Sequence, residues 1–305
     1  MFRYLERNEI DIKKWNSCIY YAPNSLVYAY SWYLDNVCDT WSALVFDDYS
    51  AVFPIVHNKI LGMKQIYQPY LTQQLGLFSY DFIQKQQVVN CIESIPSSFR
   101  KIHLHLNESN ICNSFGHYSV FEKPNYLLSL YNPYELIQAQ YSENTIRNIK
   151  KAKKSNLYAH SSLSVEQFLN ELESNQKILG NHYKAEIYHT ASRIMYNAMH
   201  RGVGQILSIF NQSHECLASI FWIHNGARYI NLLNYSNLEG RAKGAMPYLI
   251  DLFIQQHSEK MSYIDFEGSS IDSIARFYKS FGAENHPYFV LKKNRLPFPL
   301  PYFIK

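Results

Sequence analysis

The sequence has few cysteines, no long apolar run and no apolar leader, and each shortage excludes a class of protein. Its five cysteines are scattered and form no C-x-x-C pair, so we expect neither a disulfide framework nor a zinc site. No apolar run approaches the roughly 20 residues that span a bilayer. The opening MFRYLERNEI lacks the apolar core of a signal peptide. We therefore expect a cytoplasmic protein without a transmembrane segment.

Charge and catalytic motifs are equally sparse. A net charge of +4 is too small to predict DNA binding. The chain contains no G-x-S-x-G elbow, P-loop or G-x-G-x-x-G, so hydrolase, kinase and dehydrogenase functions have no support. His103 and His105 alternate on one predicted strand, but no carboxylate accompanies them, and we expect no metal.

The chain does have length and aromatic residues. Its 305 residues are enough for two domains of ordinary size, and 47% of them are hydrophobic. Tyrosine occurs 26 times, and this residue suits half-buried sheets and the walls of pockets.

The hydrophobic pattern predicts the same order of elements twice. In the first half we predict helices, an antiparallel meander with tight turns, and then a helix and a strand. The predicted ranges are helices 11–20 and 28–37, strands 41–47, 50–58 and 59–68, helix 81–95 and strand 101–106. The tight turns of the meander are expected at Asp47-Asp48 and Asn58-Lys59. The second half repeats this order after a basic helix: helices 143–154, 164–179 and 184–201, strands 204–210, 215–224 and 227–235, helix 245–257, strand 261–268, helix 271–280 and strand 287–293.

This repetition predicts the fold class and the domains. We expect an α/β protein of the α+β type, in which each of two tandem domains has a mixed, mostly antiparallel sheet flanked by helices. The predicted domains are residues 1–135 and 136–305. No linker rich in proline, glycine or serine separates them.

Three stretches resemble the FemAB-type branch of the GNAT superfamily, which contains the aminoacyltransferases that build peptidoglycan bridges. They are YQPYLTQQLGLFS at 67–79, YSENTIRNIKKAKKSNL at 141–157 and IDFEGSSIDSIARFYKSFGA at 264–283. The resemblance implies two tandem GNAT domains with a groove where they meet. It also implies transfer of an acyl group onto an amine.

By this resemblance Tyr278, in the segment FYKSFG, lies near the sulfur of an acyl donor. A phenol there can protonate the departing thiolate. The bridge-forming enzymes tend to have Phe-Lys where this chain has Phe277-Tyr278, and Lys279 points roughly 100° away on a helix. This difference favours a thioester donor over aminoacyl-tRNA. The alternative is that Tyr278 only packs the last helix on the sheet.

The segment before helix 245–257 resembles the GNAT loop whose backbone N–H groups bind the donor's pyrophosphate. Arg241, Lys243, Gly244 and Ala245 are the candidate donor-binding residues, although Met246 stands where a small residue is usual. The two cations can add charge-assisted contacts to phosphate. A basic loop that only precedes a helix is the alternative.

The basic helix places Arg147, Lys150, Lys151 and Lys154 at i, i+3, i+4 and i+7, on one face. In the family that this segment resembles, its arginine meets a phosphorylated acceptor, so Arg147 is a candidate substrate-binding residue. A surface for tRNA or anionic lipid is the second interpretation, and a solvated face is the third.

Asp265 and Glu267 alternate along strand 261–268, so both are expected on one side of it. Glu267, next to a glycine, is a candidate catalytic base for the incoming ammonium. It can equally be a counter-ion, or a cap of the following helix in competition with Ser269, Ser270 and Asp272.

The polar loop 68–79 offers Tyr70, Gln73 and Gln74. If the chain folds as the family does, these residues line the acceptor groove, where amide and phenol groups suit a peptide or a sugar. An ordinary polar loop is the alternative.

Together these residues predict an N-acyltransferase that uses an acyl-CoA-type co-substrate and no metal. The amine attacks directly, backbone N–H groups near Asn234 polarise the carbonyl, and Tyr278 protonates the thiolate. One alternative is a FemX-like enzyme that uses aminoacyl-tRNA on a cell-wall precursor. Another is a degenerate GNAT pair that binds a ligand without catalysis.

Overall fold

A computed structural model describes residues 2–112, 116–178, 184–268 and 271–296. The chain is divided into two compact units. Unit 1 comprises Met1–Pro124 and Pro287–Lys305, and unit 2 comprises Asn125–His286. Ser269 and Ser270, the candidate helix caps, lie outside the described residues.

Strands and helices are both distributed along the whole described chain. The strands are β1 Phe2–Glu6, β2 Trp41–Phe46, β3 Ala51–Ile60, β4 Met63–Ile66, β5 Phe78–Ser79, β6 Phe99–His105, β7 Ser119–Lys123, β8 Tyr126–Ser129, β9 Tyr158–His160, β10 Gly204–Phe210, β11 Cys216–His224, β12 Arg228–Ser236, β13 Tyr263–Asp265, β14 Glu284–Asn285 and β15 Tyr288–Asn294. The α-helices are α1 Ile12–Tyr21, α2 Ser31–Val37, α3 Lys85–Glu93, α4 Tyr134–Gln138, α5 Glu143–Lys154, α6 Val165–Ile178, α7 Ala185–His200, α8 Leu238–Lys243, α9 Ala245–His257 and α10 Asp272–Lys279.

Unit 1 is built on a sheet of order β1-β2-β3-β4-β6-β15-β7, with β5 paired to β3. Its strand pairs are antiparallel except β4 with β6. The Asp11 carboxylate caps α1 by accepting from the amides of Lys13 and Lys14, and α1 buries Trp15 at 5.0 Å from the Trp41 ring. This aromatic contact packs α1 onto the sheet.

Unit 2 has a sheet of order β14-β8-β13-β12-β11-β10-β9, which is antiparallel except between β12 and β13. Helix α9 packs on this sheet, where the Phe253 ring stacks on Trp222 at a centroid distance of 4.0 Å. Ser142 caps α5 by accepting from the Thr145 amide, at the predicted start of the basic helix.

Two strands belong to a different sheet from the one that their position in the sequence suggests. Strand β8 directly follows β7 in the sequence but pairs with β13 and β14 in unit 2, whereas the last strand, β15, pairs with β6 and β7 in unit 1. The predicted division into residues 1–135 and 136–305 follows chain order and therefore assigns these two strands differently. Hydrophobic patterns mark where strands lie but not which strands they pair with.

Two details of the predicted elements are wrong. The hairpin turn expected at Asn58-Lys59 lies at Leu61-Gly62, where both residues have positive φ, 50° and 79°. Strand β13 ends at Asp265, so the predicted alternation of Asp265 and Glu267 does not hold. Within the described part of the chain, none of the helices has the length and apolar content needed to cross a membrane.

Candidate functional site

Strands β12 and β13 pair over only part of their length. β13 pairs with Arg228–Ile230 of β12, and β11 covers the other edge of β12 along most of its length. Among the described residues, the stretch of β12 from 231 to 236 thus has a strand neighbour on one side only. An open strand edge presents backbone N–H and C=O groups to an extended ligand. We call this stretch the open edge of β12.

Asn234 lies on the open edge of β12 and is held by a neighbour on the same strand. Its side-chain Nδ2 donates to Asn231 Oδ1 at 2.9 Å, and Asn231 is buried. The hydrogen bond to this buried amide restricts the orientation of the partly exposed Asn234 side chain.

Tyr278 is brought to the same place by α10. It is 9% exposed, and its ring stacks on Phe266, with centroids 4.8 Å apart and planes at 13°. Burial raises the pKa of Tyr278 well above the ordinary value, and the negative charge of Glu267 raises it further, while the Asn234 side chain opposes the shift as a hydrogen-bond partner. The phenol therefore carries its proton at neutral pH.

The two carboxylates at the end of β13 and just beyond it, Asp265 and Glu267, occupy different environments. Asp265 is fully buried and forms an ion pair with Arg228, Oδ2 to Nη1 at 3.1 Å. Glu267 is partly exposed, and its backbone has a φ of 56°, in the left-handed region. Of the two, Glu267 is the one that a substrate can reach.

The predicted donor loop is a short helix. α8 occupies most of the segment, and Asn237 Oδ1 caps it by accepting from the Gly240 amide at 2.7 Å. Arg241 donates through Nε to the Ser236 carbonyl at 3.0 Å, and Lys243 pairs with Glu239 at 2.7 Å. The two cations are therefore already partnered within the segment.

The glycines of this segment are needed for packing. A Cβ on Gly240 would lie 2.1 Å from the Leu217 carbonyl oxygen, and one on Gly244 would lie 2.5 Å from the Asn148 carbonyl oxygen. Gly244 also has a φ of 74°, which allows α9 to start in a new direction. Ala245, the next residue, is fully buried. Close approach of backbone accounts for both glycines.

The basic face of α5 lines a shallow depression of about 570 Å³, formed by Glu143, Ile146, Arg147, Lys150, Lys151 and Lys154. The four predicted cations thus share one surface. Arg147 Nη2 donates to Asn144 Oδ1 at 2.6 Å, one turn earlier on the helix. This surface is suited to an anionic ligand by its charge.

The predicted acceptor residues of unit 1 fall into two groups. Tyr70 is 61% exposed and Gln73 is partly exposed, so both present polar groups at the surface. Gln74 is fully buried; its Oε1 accepts from the Glu108 amide at 3.0 Å and its Nε2 donates to Gln73 Oε1 at 2.7 Å. Gln74 therefore supports the loop from inside, which differs from the expected ligand contact.

His105 also supports this loop. Its Nδ1 lies 3.0 Å from the Gln73 carbonyl, which only accepts, so Nδ1 carries the proton. Its Nε2 lies 3.3 Å from Nε2 of His103. Among the described residues, no group of three His, Cys, Asp or Glu side chains is arranged to hold a metal.

Arg228 is the residue of the site that the sequence did not reveal. It lies 37 positions before Asp265, and no local pattern joins the two. The parallel pairing of Arg228 with Tyr263 and of Ile230 with Asp265 brings them together. The contact between Arg228 and Asp265 therefore depends on the register in which β12 and β13 pair.

Comparisons with known proteins identify the fold. No family profile and no curated protein matches the chain. Among solved structures, FemX is similar with a TM-score of 0.69 and 11% identity over 99% of both chains. L-PGS from Bacillus licheniformis has a TM-score of 0.55 and 13% identity over 96% of this chain and 95% of its own. A GNAT-family acetyltransferase from Colwellia psychrerythraea has a TM-score of 0.52 and 9% identity over 95% and 99%. The predicted fold is confirmed: the chain has a GNAT-like fold of the FemX type.

Proposed function

We propose that the protein is an N-acyltransferase that moves an acyl group from an acyl-CoA-type thioester to an amine. The observation that carries this proposal is the convergence of Tyr278, Glu267 and Asn234 at the open edge of β12. Acyl transfer requires three kinds of group: backbone N–H groups to bind the oxyanion, an acid and a base. Here the open edge of β12 supplies the N–H groups, Tyr278 is the protonated phenol, and Glu267 is the carboxylate that a substrate can reach.

The reaction exchanges a C–S bond for a C–N bond and moves protons at the nitrogen and at the sulfur. Glu267 removes a proton from the ammonium, and the amine nitrogen then forms a C–N bond with the thioester carbonyl. Backbone N–H groups of the open edge stabilise the oxyanion. When the intermediate collapses, the C–S bond breaks and the thiolate takes the Tyr278 proton. The attacking nitrogen, which became positively charged when the C–N bond formed, gives its extra proton back to the Tyr278 phenolate, and Glu267 releases its proton to solvent.

Donor and acceptor recognition extend the proposal to the other predicted residues. We assign the donor phosphates to the start of α9, at Gly244 and Ala245. Arg241 and Lys243 are the cations that would contact these phosphates. To do so, Arg241 must release the Ser236 carbonyl and Lys243 must release Glu239. For the acceptor we keep two separate candidates: Tyr70 and Gln73 on the loop of unit 1 that Gln74 supports, and Arg147 on α5 of unit 2.

Two alternatives have an observation in their favour. A FemX-like transfer from aminoacyl-tRNA is supported by the full-length fold similarity and by the basic depression on α5. A degenerate, non-catalytic GNAT pair is supported by the donor segment, whose glycines pack on backbone and whose Lys243 is already paired.

Binding is tested by the melting temperature with acetyl-CoA, longer acyl-CoAs and free CoA, because a ligand that binds the native state raises it. We expect a rise that weakens in Arg241→Ala and Lys243→Ala. No rise with any CoA would overturn the thioester donor and favour aminoacyl-tRNA. A rise without turnover on any amine would favour the non-catalytic alternative.

Catalysis is tested with Tyr278→Phe, which removes only the phenol oxygen. We expect donor binding to persist and turnover to fall by about 10²- to 10⁴-fold, the usual contribution of a general acid. Tyr141→Phe is the matched control, because Tyr141 is another buried tyrosine of the same hydrophobic core. Equal turnover in both variants would refute the role of Tyr278.

A further inference from the structure

The two carboxylate oxygens of Asp265 are directed at different partners. Oδ1 accepts from the backbone N–H of Glu267 at 2.8 Å. Oδ2 accepts from Arg228 at 3.1 Å and from Asn125 Nδ2 at 3.4 Å. The Asp265 side chain is 1% exposed and that of Arg228 is 13% exposed, so these contacts form largely out of water. Asp265 therefore ties the start of β12 to the turn that follows β13.

The turn that Asp265 holds is strained. Glu267 has a φ of 56°, which residues with a side chain adopt rarely and at an energetic cost. The Asp265 bond to its amide and a bond from the Tyr126 amide to its carbonyl, 3.3 Å long, hold the residue in this conformation. Because of the turn, the chain leaves the line of β13 at Glu267, next to Tyr278.

We propose that Asp265, held by Arg228 and Asn125, is a positioning residue that fixes the turn at Glu267 and so aims the Glu267 carboxylate at the open edge of β12. The inference rests on the proposed function for what Glu267 does, but the turn itself is a property of the fold. Asp265 is not the base, because it is buried and its charge is paired with Arg228.

The chemistry of the contact requires a carboxylate. Asp265 uses one oxygen for the Glu267 amide and the other for the Arg228 guanidinium and Asn125. An asparagine has one acceptor oxygen and an NH₂ group, so it faces one of these donors with a donor. Asp265→Asn therefore weakens either the turn or the anchor while changing the volume of the side chain very little.

The experiment compares Asp265→Asn with Asp251→Asn. Asp251 on α9 is a matched control, because it is also a buried aspartate of unit 2, 1% exposed, and it accepts from the Tyr134 hydroxyl at 2.8 Å. Two readouts are measured for each variant: kcat and KM with an acyl-CoA and an amine acceptor, and the hydrogen-exchange rate of the Glu267 amide.

A positioning role predicts that Asp265→Asn lowers kcat at least about tenfold while KM for the donor stays within about threefold. It also predicts that the Glu267 amide exchanges at least about tenfold faster, as its acceptor is lost. Asp251→Asn should leave both quantities within about twofold of wild type. An unchanged kcat in folded Asp265→Asn, with an active wild type, overturns the proposal.

The experiment still tests the proposal if the wild type is inactive or if Asp265→Asn does not fold. If the wild type turns over no thioester, the proposed function fails and the exchange rate alone decides: faster exchange supports the positioned turn, and unchanged exchange overturns it. If Asp265→Asn does not fold, Arg228→Lys retains the charge but loses the planar guanidinium. Arg228→Lys should then lower kcat partially, and a wild-type kcat together with a wild-type exchange rate overturns the proposal.

Discussion

The loop of unit 1 at residues 68–77 and the turn of unit 2 at 265–267 are both held by buried polar side chains, but of different kinds. The loop uses neutral groups: Asn107 donates to the Leu75 and Leu77 carbonyls, and Asn110 accepts from the Leu77 amide at 2.6 Å. The turn uses the ion pair of Asp265 with Arg228. A neutral network distributes its stabilisation over many bonds, whereas a buried ion pair concentrates it in two groups.

The largest expected effect is the removal of one charge at the turn. Arg228→Ala leaves Asp265 buried without its counter-ion and should cost about 3–5 kcal/mol of unfolding free energy. The comparison is Arg7→Ala, which breaks the half-exposed pair with Asp35, 2.7 Å long, and should cost under about 1 kcal/mol. Urea unfolding measures both, and equal losses would contradict the distinction between buried and exposed pairs.

The neutral loop should be the more sensitive to acid. Burial and the nearby charge of Lys123 lower the pKa of His105 to about 3, and burial and Lys292 lower that of His103 to about 4. The unfolded chain takes up these protons below about pH 6.5 and the folded chain does not, so stability falls as pH decreases from 6.5.

The expected slope is about 1.4 kcal/mol per pH unit for each neutral imidazole between pH 6 and pH 4. His105→Gln keeps a donor for the Gln73 carbonyl and should remove about one such contribution. The check is the unfolding free energy at pH 7, 6, 5 and 4. A slope that is unchanged in the variant would show that His105 is not the group responsible.

A smaller effect is expected from one amide of the loop. Asn110→Ala leaves the buried Leu77 amide without its acceptor and should cost about 1–3 kcal/mol. Asn58→Ala removes an exposed amide, which accepts from Gln65, and should change stability by less than about 0.5 kcal/mol. Similar losses for both variants would mean that burial of the network contributes nothing.

The smallest effect is a gain in stability at the turn. Glu267→Gly relieves the left-handed backbone and should raise the unfolding free energy by up to about 1 kcal/mol. Glu259→Gly, at an exposed residue with a φ of 62°, should give a similar gain. Activity separates the two, because only Glu267→Gly should lower kcat. A loss of stability in Glu267→Gly would show that the carboxylate itself holds the turn.

Helices were predictable where their signals are local. The bounds of α5 and α9 agree with the predicted ranges 143–154 and 245–257, because a capping serine precedes α5 and an apolar periodicity runs through α9. Most strands were located, but β1 and β9 were not predicted, and neither was the exchange of strands between the two sheets. β8 and β15 exchange sheets, and the turn between β3 and β4 lies three residues later than predicted.

The candidate site shows the same division. Tyr278 was predicted from the resemblance, Glu267 from its place near the end of a strand, and Asn234 as the neighbour of the expected oxyanion contacts; the fold places these three together. The resemblance also singled out Gly244 and Gln74, which the fold uses for packing and support. A sequence motif specifies which residue types occur and how far apart they are. It does not distinguish a glycine that contacts a ligand from a glycine that packs against the backbone of another segment.

The sequence by itself determined the fold class, the order of the elements and the basic face of α5, because periodicity, caps and turn residues act over a few neighbours. The tertiary structure alone decided which strands share a sheet, where β12 loses its neighbour, and that Arg228 meets Asp265 across 37 positions. Such pairings depend on register and burial, which follow from the folding of the whole chain and not from any segment of it.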